Sequence, residues 1–255
     1  MINISSLNSY IPKKIYKKRA IRLNSQKKED LHKAAEIIKS GGIVAFPFNG
    51  IYGLFGDVDN KQAAQKIYKA KNRPLDKKLI MVASPEILGD YANIGHLTVP
   101  YDDIVNFWKE IHALGVILPS QDTMPVTIEN DGTILTIWTE YAPLRYLFDY
   151  FRKLGGKAFV GTSANKSGKP THYESATLWQ DFGYDVEAII EADFSHLEPH
   201  RKKSTTVIDM TNNNPRLHRV GNVTKEELID AMKKYNLPDL TDEEPLIIVK
   251  GRNQN

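Results

Sequence analysis

Apolar positions along the chain alternate between helical and extended spacing. Leu31, Ala34, Ala35 and Ile38 fall on one helix face, and Gly41-Gly42 stops that helix before the buried-strand run Ile43-Val44-Ala45-Phe46. Pro47-Phe48-Asn49-Gly50 predicts a turn, and Ile51-Tyr52-Gly53-Leu54-Phe55-Gly56 continues with glycines where the backbone approaches something closely. Asn60 is placed to cap a helix over 61–71, with Ala63, Ala64, Ile67 and Ala70 on its inner side. A strand over 79–82, a short helix over 85–91 and an amphipathic helix over 102–111 follow.

The middle of the chain reads as β-rich. Residues 115–118 form a strand, and two runs, 126–129 and 134–138, flank the hairpin signal Asn130-Asp131-Gly132. A helix over 144–154 ends at Gly155-Gly156, and the strand Ala158-Phe159-Val160 then runs out into a polar loop, Gly161 to Thr171. Helix 175–182, strand 188–190 and the β-branched strand 205–210 come next. Thr224 with Glu227 makes a capping box for a last helix, to about Tyr235, and residues 246–249 are the one short apolar run in a polar tail. Helices alternating with strands, plus hairpins, predict an α/β domain with a mixed sheet flanked by helices. Its expected extent is 27–235, between a basic arm (1–26) and the tail (236–255).

Two stretches carry candidate chemistry. Ser163 and Asn165 stand two apart at the end of a strand, so an extended backbone sends both side chains from one face; the other reading is a surface turn. Pro74 biases Arg73 towards an extended conformation, which sends Lys71 and Arg73 the same way, as fixed cations for a polyphosphate. The alternative is that they continue the solvated set Lys66, Lys69, Lys77 and Lys78. The arm, with Lys13, Lys14, Lys17, Lys18, Arg19 and Arg22 around Tyr10 and Tyr16, reads as an RNA contact or as a solvated leader.

Composition narrows these choices. The 255 residues are 41% hydrophobic, enough for one sizeable core, and a net charge of only +3 makes any basic ligand surface local. The chain has no cysteine, which excludes disulfides and thiolate chemistry, and no apolar stretch approaches the roughly 20 residues of a spanning helix. A cytoplasmic protein without a membrane partner is expected.

Taken together, Gly41-Gly42-Ile43-Val44-Ala45-Phe46-Pro47 with Tyr52-Gly53-Leu54, Lys71-Asn72-Arg73-Pro74, Thr162-Ser163-Ala164-Asn165-Lys166-Ser167-Gly168 and Ser204-Thr205-Thr206-Val207-Ile208-Asp209 closely resemble the YrdC-like family over roughly residues 28–235. That family comprises threonylcarbamoyl-adenylate synthases and their paralogues. The resemblance implies a twisted mixed sheet with a large concave basic surface. It further implies an ATP-dependent nucleotidyltransferase that joins L-threonine, bicarbonate and ATP into threonylcarbamoyl-AMP and pyrophosphate, for tRNA modification. By the family pattern Lys71 and Arg73 are the catalytic phosphate-binding pair. Ser163, Asn165, Ser204, Thr205 and Arg219 would hold the nucleotide, and Tyr52 the substrate. ATP and Mg²⁺ are the implied cofactors, with tRNA or other tRNA-modification proteins as partners; the protein itself supplies no dedicated metal ligands. A carbamate that is itself the nucleophile needs no general base, and His172 and His218 read as incidental.

The departures cluster. Pro47-Phe48-Asn49-Gly50 stands where the family writes P-T-E-T, and Phe107-Trp108-Lys109-Glu110 where it writes F-W-P-G. These segments border the threonine end of the family's pocket, while the retained pairs border the nucleotide end. Three functions therefore stand side by side: a synthase that holds threonine by different groups, a paralogue using another amine or carbamoyl substrate, and a non-catalytic nucleotide- or RNA-binding protein.

Overall fold

The computed structural model describes residues 18–48, 50–95, 99–111, 113–122, 124–125, 127–241 and 247–248. A single mixed sheet runs through them. Its first half holds β1 (Ile21–Asn24), β2 (Val44–Phe48), β3 (Ile51–Asp57) and β4 (Ile80–Val82), with helices α1 (Lys28–Lys39) and α2 (Lys61–Lys71) between them. After a 3-10 turn (Pro85–Asp90) come α3 (Tyr101–Glu110), β5 (Leu114–Pro119), β6 (Glu129–Asn130), β7 (Thr133–Trp138) and α4 (Ala142–Lys153). The chain continues with β8 (Phe159–Ser163), α5 (Ser175–Phe182), β9 (Ala188–Glu191), β10 (Thr206–Asp209), β11 (Arg216–Val220), α6 (Lys225–Lys234) and β12 (Ile247–Ile248). Across the sheet the order is β1-β9-β2-β3-β8-β4-β7-β5-β10-β11-β12, with β6 hairpinned onto β7. β9 pairs parallel with β1 and β2, β4 with β7, and β10 with β5, whereas β2–β3, β3–β8, β4–β8, β5–β7 and β10–β11 are antiparallel. The expected mixed α/β sheet flanked by helices is what the chain forms.

Local chemistry explains where the elements begin and turn. The Asn60 side chain accepts from the amides of Gln62 and Ala63, opening α2, and the Thr224–Glu227 capping box opens α6. At the β6–β7 hairpin both Asp131 (φ 48°) and Gly132 (φ 78°) are left-handed, the backbone that a two-residue turn between twisted strands requires. One face of the sheet buries an aromatic stack in which Phe55 lies against Phe46 and Phe159, and Phe159 meets Phe148 and Phe151 of α4. Helix α1 packs on α4, while α2 covers β3 and β8.

Several elements differ from the periodicity. Residues 21–24, inside the basic arm, form β1, with only Leu23 buried. β11 shows no alternation in the sequence because just Leu217 of its five residues is buried. The expected strand over 126–129 is reduced to Glu129–Asn130, because Pro125 O takes the amides of both Ile128 and Glu129 and makes that stretch a turn. Val126 lies outside the described residues, as do arm residues Tyr10 to Lys17. Within the apolar tail run, Ile247–Ile248 adds parallel to β11 as an edge strand.

Candidate active site

Register places the site before any side chain is considered. Gly53 opposes Ser163, Phe55 opposes Gly161, Ile80 opposes Gly161, Val82 opposes Ile137, and Ile137 opposes Gly115. Directly paired residues share a face, so one face of the sheet carries Ile51, Gly53, Ser163, Ile80, Ile137, Leu135 and Ile117 in a continuous floor. Over it lies a cleft of about 520 Å³, which Arg73, Ser163, Ser204, Thr205, Arg219 and Tyr52 also line. Its cations are Arg73, Lys77, Lys78 and Arg219, against the single carboxylate Asp76.

The K-x-R and S-x-N pairs meet, in an arrangement the spacing did not predict. Lys71 is 1% exposed and does not line the cleft. Its ammonium donates to Ser163 O, to Asn165 O at 2.6 Å and to Asn165 Oδ1 at 3.1 Å. Burial first, then the neighbouring Arg73 and Lys166 cations, pull its pKa down to about 7. Arg73 turns elsewhere: Nε donates to Lys77 O at 3.0 Å and Nη2 to Lys78 O at 2.7 Å. The two cations diverge because Asn72, between them, caps α2 in the left-handed conformation (φ 52°, ψ 43°), so Lys71 and Arg73 do not point the same way as expected.

Ser163 and Asn165 do converge, but on each other. Ser163 Oγ donates to Asn165 Oδ1 at 2.6 Å, and the Asn165 amide nitrogen donates to Lys166 O and Lys169 O. Ser167 N reaches back to Lys71 O, and Lys166 Nζ to Ala70 O at 2.7 Å. The polar loop is thus laced to the C-terminal end of α2, which leaves Ser163 at the cleft wall and Lys71 with Asn165 behind it.

The opposite wall has its own scaffold, which sequence reasoning missed. Arg219 Nε donates to Thr205 O at 2.8 Å. Behind Thr205, the buried Thr206 hydroxyl donates to Val223 O and accepts from the amides of Gly221 and Val223, while Asn222 Oδ1 accepts from Thr206 N. A Cβ on Gly221 would lie 1.9 Å from Ser204 O, so only glycine lets the end of β11 approach the Ser204–Thr205 backbone. In the sequence the only signal is the pair Gly221-Asn222 itself, which has no period of its own and follows a stretch without strand alternation.

Tyr52 is fully buried. Its ring sits 5.5 Å from that of Phe194, and its hydroxyl accepts from Ala192 N at 3.1 Å and donates to Ala192 O at 3.3 Å. Burial pushes its pKa up to about 12. His172 is a brace: Nε2 lies 2.7 Å from Asp181 Oδ2, Nδ1 lies 2.9 Å from Thr177 Oγ1, and its carbonyl takes the Tyr52 amide. His218 lines the cleft, its pKa lowered by burial and by Arg219. Among the described residues no cluster of three or more histidines and carboxylates is placed to hold a metal ion.

Known proteins share this architecture. The Sua5/YciO/YrdC family model, described as "Telomere recombination", matches residues 36–221. The threonylcarbamoyl-AMP synthase of Pyrococcus abyssi is 31% identical over 199 residues, 76% of this chain and 55% of that protein; its counterpart in Xanthomonas axonopodis pv. citri is 29% identical over 168 residues, 64% and 86%. The chain spans about half the length of the Pyrococcus relative. The crystal structure of P. abyssi Sua5 complexed with L-threonine superposes with a TM-score of 0.71 at 26% identity, over 84% of this chain and 61% of that one. E. coli YciO shares the fold, with a TM-score of 0.63 at 19% identity over 80% and 94%. The match to the family model over most of the chain, on a sheet that brings the K-x-R, S-x-N and S-T segments around one cleft, makes this protein a member of the Sua5/YciO/YrdC family.

Proposed function

We propose that the cleft binds ATP and makes threonylcarbamoyl-AMP from L-threonine, bicarbonate and ATP, supplying a cytoplasmic tRNA threonylcarbamoyladenosine pathway. The observation that carries this reading is the placing of Ser163, Ser204, Thr205, Arg73 and Arg219 around one concave floor. Threonine nitrogen and bicarbonate give a carbamate with loss of water. A carbamate oxygen then attacks the α-phosphorus, the bond to the β-phosphate oxygen breaks, and pyrophosphate leaves. Arg73 and Arg219 are the cations available to the charge that builds on the leaving group. Lys71 serves catalysis by fixing Ser163 and Asn165 at the nucleotide end. Tyr52 walls the substrate end and fixes the chain after β9. Asp76 with the Ser163, Ser204 and Thr205 hydroxyls suits Mg²⁺ that arrives on phosphate oxygens and keeps its waters, rather than a metal in a protein cage. That ion would offset charge on the departing pyrophosphate.

A second reading, a paralogue acting on another amine, is favoured by one observation. Phe48 stands where the family writes a threonine; it is 5% exposed and meets Phe55 edge-on at 5.9 Å, so that wall offers a ring in place of a hydroxyl. Pyrophosphate release from ATP and bicarbonate, with threonine and then a panel of amino acids, separates the readings. Release with threonine supports the synthase, release only with another amine selects the paralogue, and no release with any amine overturns both in favour of a non-catalytic nucleotide or RNA binder.

A further inference from the structure

Away from the cleft, α1, α2, β1 and the connection from α5 to β9 enclose a groove of about 610 Å³. Lys18, Arg19, Lys33, Lys66 and Lys69 line it, beside the ring of Tyr184. Its two carboxylates are already engaged. Glu187 takes Lys66 Nζ at 2.7 Å and the Ile43 amide at 2.8 Å, and Asp185 takes Lys166 Nζ at 3.0 Å. The ammonium groups of Lys18, Lys33 and Lys69 have no hydrogen bond or ion pair among the described residues. Three unpaired cations from three separate elements therefore face one concavity, an arrangement that repels itself until an anion fills it.

Shape and aromatic content choose the anion. Tyr184 is 58% exposed, one of two large apolar side chains so exposed among the described residues, and it offers an open ring face. Trp179 nearby already stacks under Arg19 at 5.0 Å and Arg22 at 5.2 Å. Spaced cations with a free aromatic face are what a phosphodiester strand with unstacked bases requires, whereas a flat lipid surface would not enter a groove. The cationic surface also continues towards the active site: Lys69 lines a shallow depression with Arg73 and Leu75, and Arg73 lines the cleft. In the sequence, Lys13, Lys14 and Lys17 lead directly into Lys18.

We propose that this groove is an RNA-binding site, which seats the backbone of a single-stranded or looped segment on Lys18, Lys33 and Lys69 and stacks a base on Tyr184. The inference does not depend on what the cleft makes, because RNA binding and pyrophosphate release are read separately.

The test is fluorescence anisotropy of the full chain with a labelled tRNA transcript over a series of salt concentrations. The Lys33→Glu/Lys69→Glu variant should bind at least about tenfold more weakly, with the slope of log affinity against log salt reduced by about 1.4 to 1.8, for two phosphate contacts. Tyr184→Ala should lower affinity for a looped RNA by about fivefold or more while leaving the salt slope unchanged. ATP affinity should stay at the wild-type value in both. Should the double variant lose its thermal transition, Lys33→Gln/Lys69→Gln replaces it, with half to all of the same effect expected. Wild-type RNA affinity in the folded variants, or no RNA binding by the wild type, overturns the proposal. Binding to phosphatidylserine vesicles but not RNA, lost in the same variants, would overturn it in favour of a membrane surface.

Discussion

Lys71, at the end of α2, holds the backbone of Asn165 just past the end of β8, with its ammonium 2.6 Å from Asn165 O and 3.1 Å from Asn165 Oδ1. A cation that the spacing suggests for a phosphate is spent on three protein oxygens, and the Ser163 hydroxyl is aimed by the Asn165 side chain it fixes. This makes Lys71 a positioning residue. Lys71→Met, of similar length, should lower ATP affinity by about tenfold or more, ~1.4 kcal/mol, and speed amide hydrogen exchange over residues 163–169. Lys69→Ala, two residues away, should do neither. Calorimetric titration with ATP and exchange mass spectrometry check both. Tenfold loss of affinity with unchanged exchange would put the ammonium on the phosphates instead.

The same lysine should write a pH dependence into stability. Its folded pKa of about 7 lies below the ordinary value of 10.5. Between those values the unfolded chain holds a proton that the folded chain has released, so stability rises with pH, by up to about 1.4 kcal/mol per unit. Below about pH 7 both states are protonated and the burial penalty is felt in full. Melting curves from about pH 6 to about pH 9 should show wild type gaining stability relative to Lys71→Met as pH rises. Parallel curves would assign Lys71 an ordinary pKa.

Much of this was legible in the chain, for physical reasons that also mark where it was not. α1, α2 and α3 announce themselves by period and α2 and α6 by their caps, and Asn60, Thr224 and Glu227 bond as their positions suggest. β1 and β11 each bury one side chain, too few to make an alternation. The K-x-R and S-x-N segments were readable as parts of one site, but the divergence of Lys71 and Arg73 was not, since the chain turns at a left-handed Asn72 between them. Thr206 and Asn222 were invisible as scaffold: a threonine in a β-branched run reads only as strand, although its hydroxyl here satisfies Gly221, Val223 and the turn between them.

Gly221 gives a steric prediction. Because an added Cβ would meet Ser204 O at 1.9 Å and Thr205 C at 2.8 Å, Gly221→Ala must push the end of β11 away from the Ser204–Thr205 segment. Overpacking of this kind costs about 1–3 kcal/mol, which for a chain of this size lowers the melting temperature by a few degrees per kcal/mol. ATP affinity should fall with it, since the displaced residues line the cleft. A destabilised variant with wild-type ATP affinity would remove Ser204 and Thr205 from the nucleotide site.

Tyr52 separates a scaffold role from a ligand role. Its hydroxyl is committed to both backbone groups of Ala192, at 3.1 and 3.3 Å, and its ring is fully buried against Phe194. Tyr52→Phe keeps the ring and strips Ala192 of its partner, which should cost about 1–3 kcal/mol in thermal or urea unfolding. KM for the amine substrate and ATP affinity should stay within about twofold of wild type, because none of the lost bonds faces the cleft. A rise in KM of about tenfold at unchanged stability would instead show the hydroxyl leaving Ala192 to bind the substrate, and would return Tyr52 to the binding residues proper.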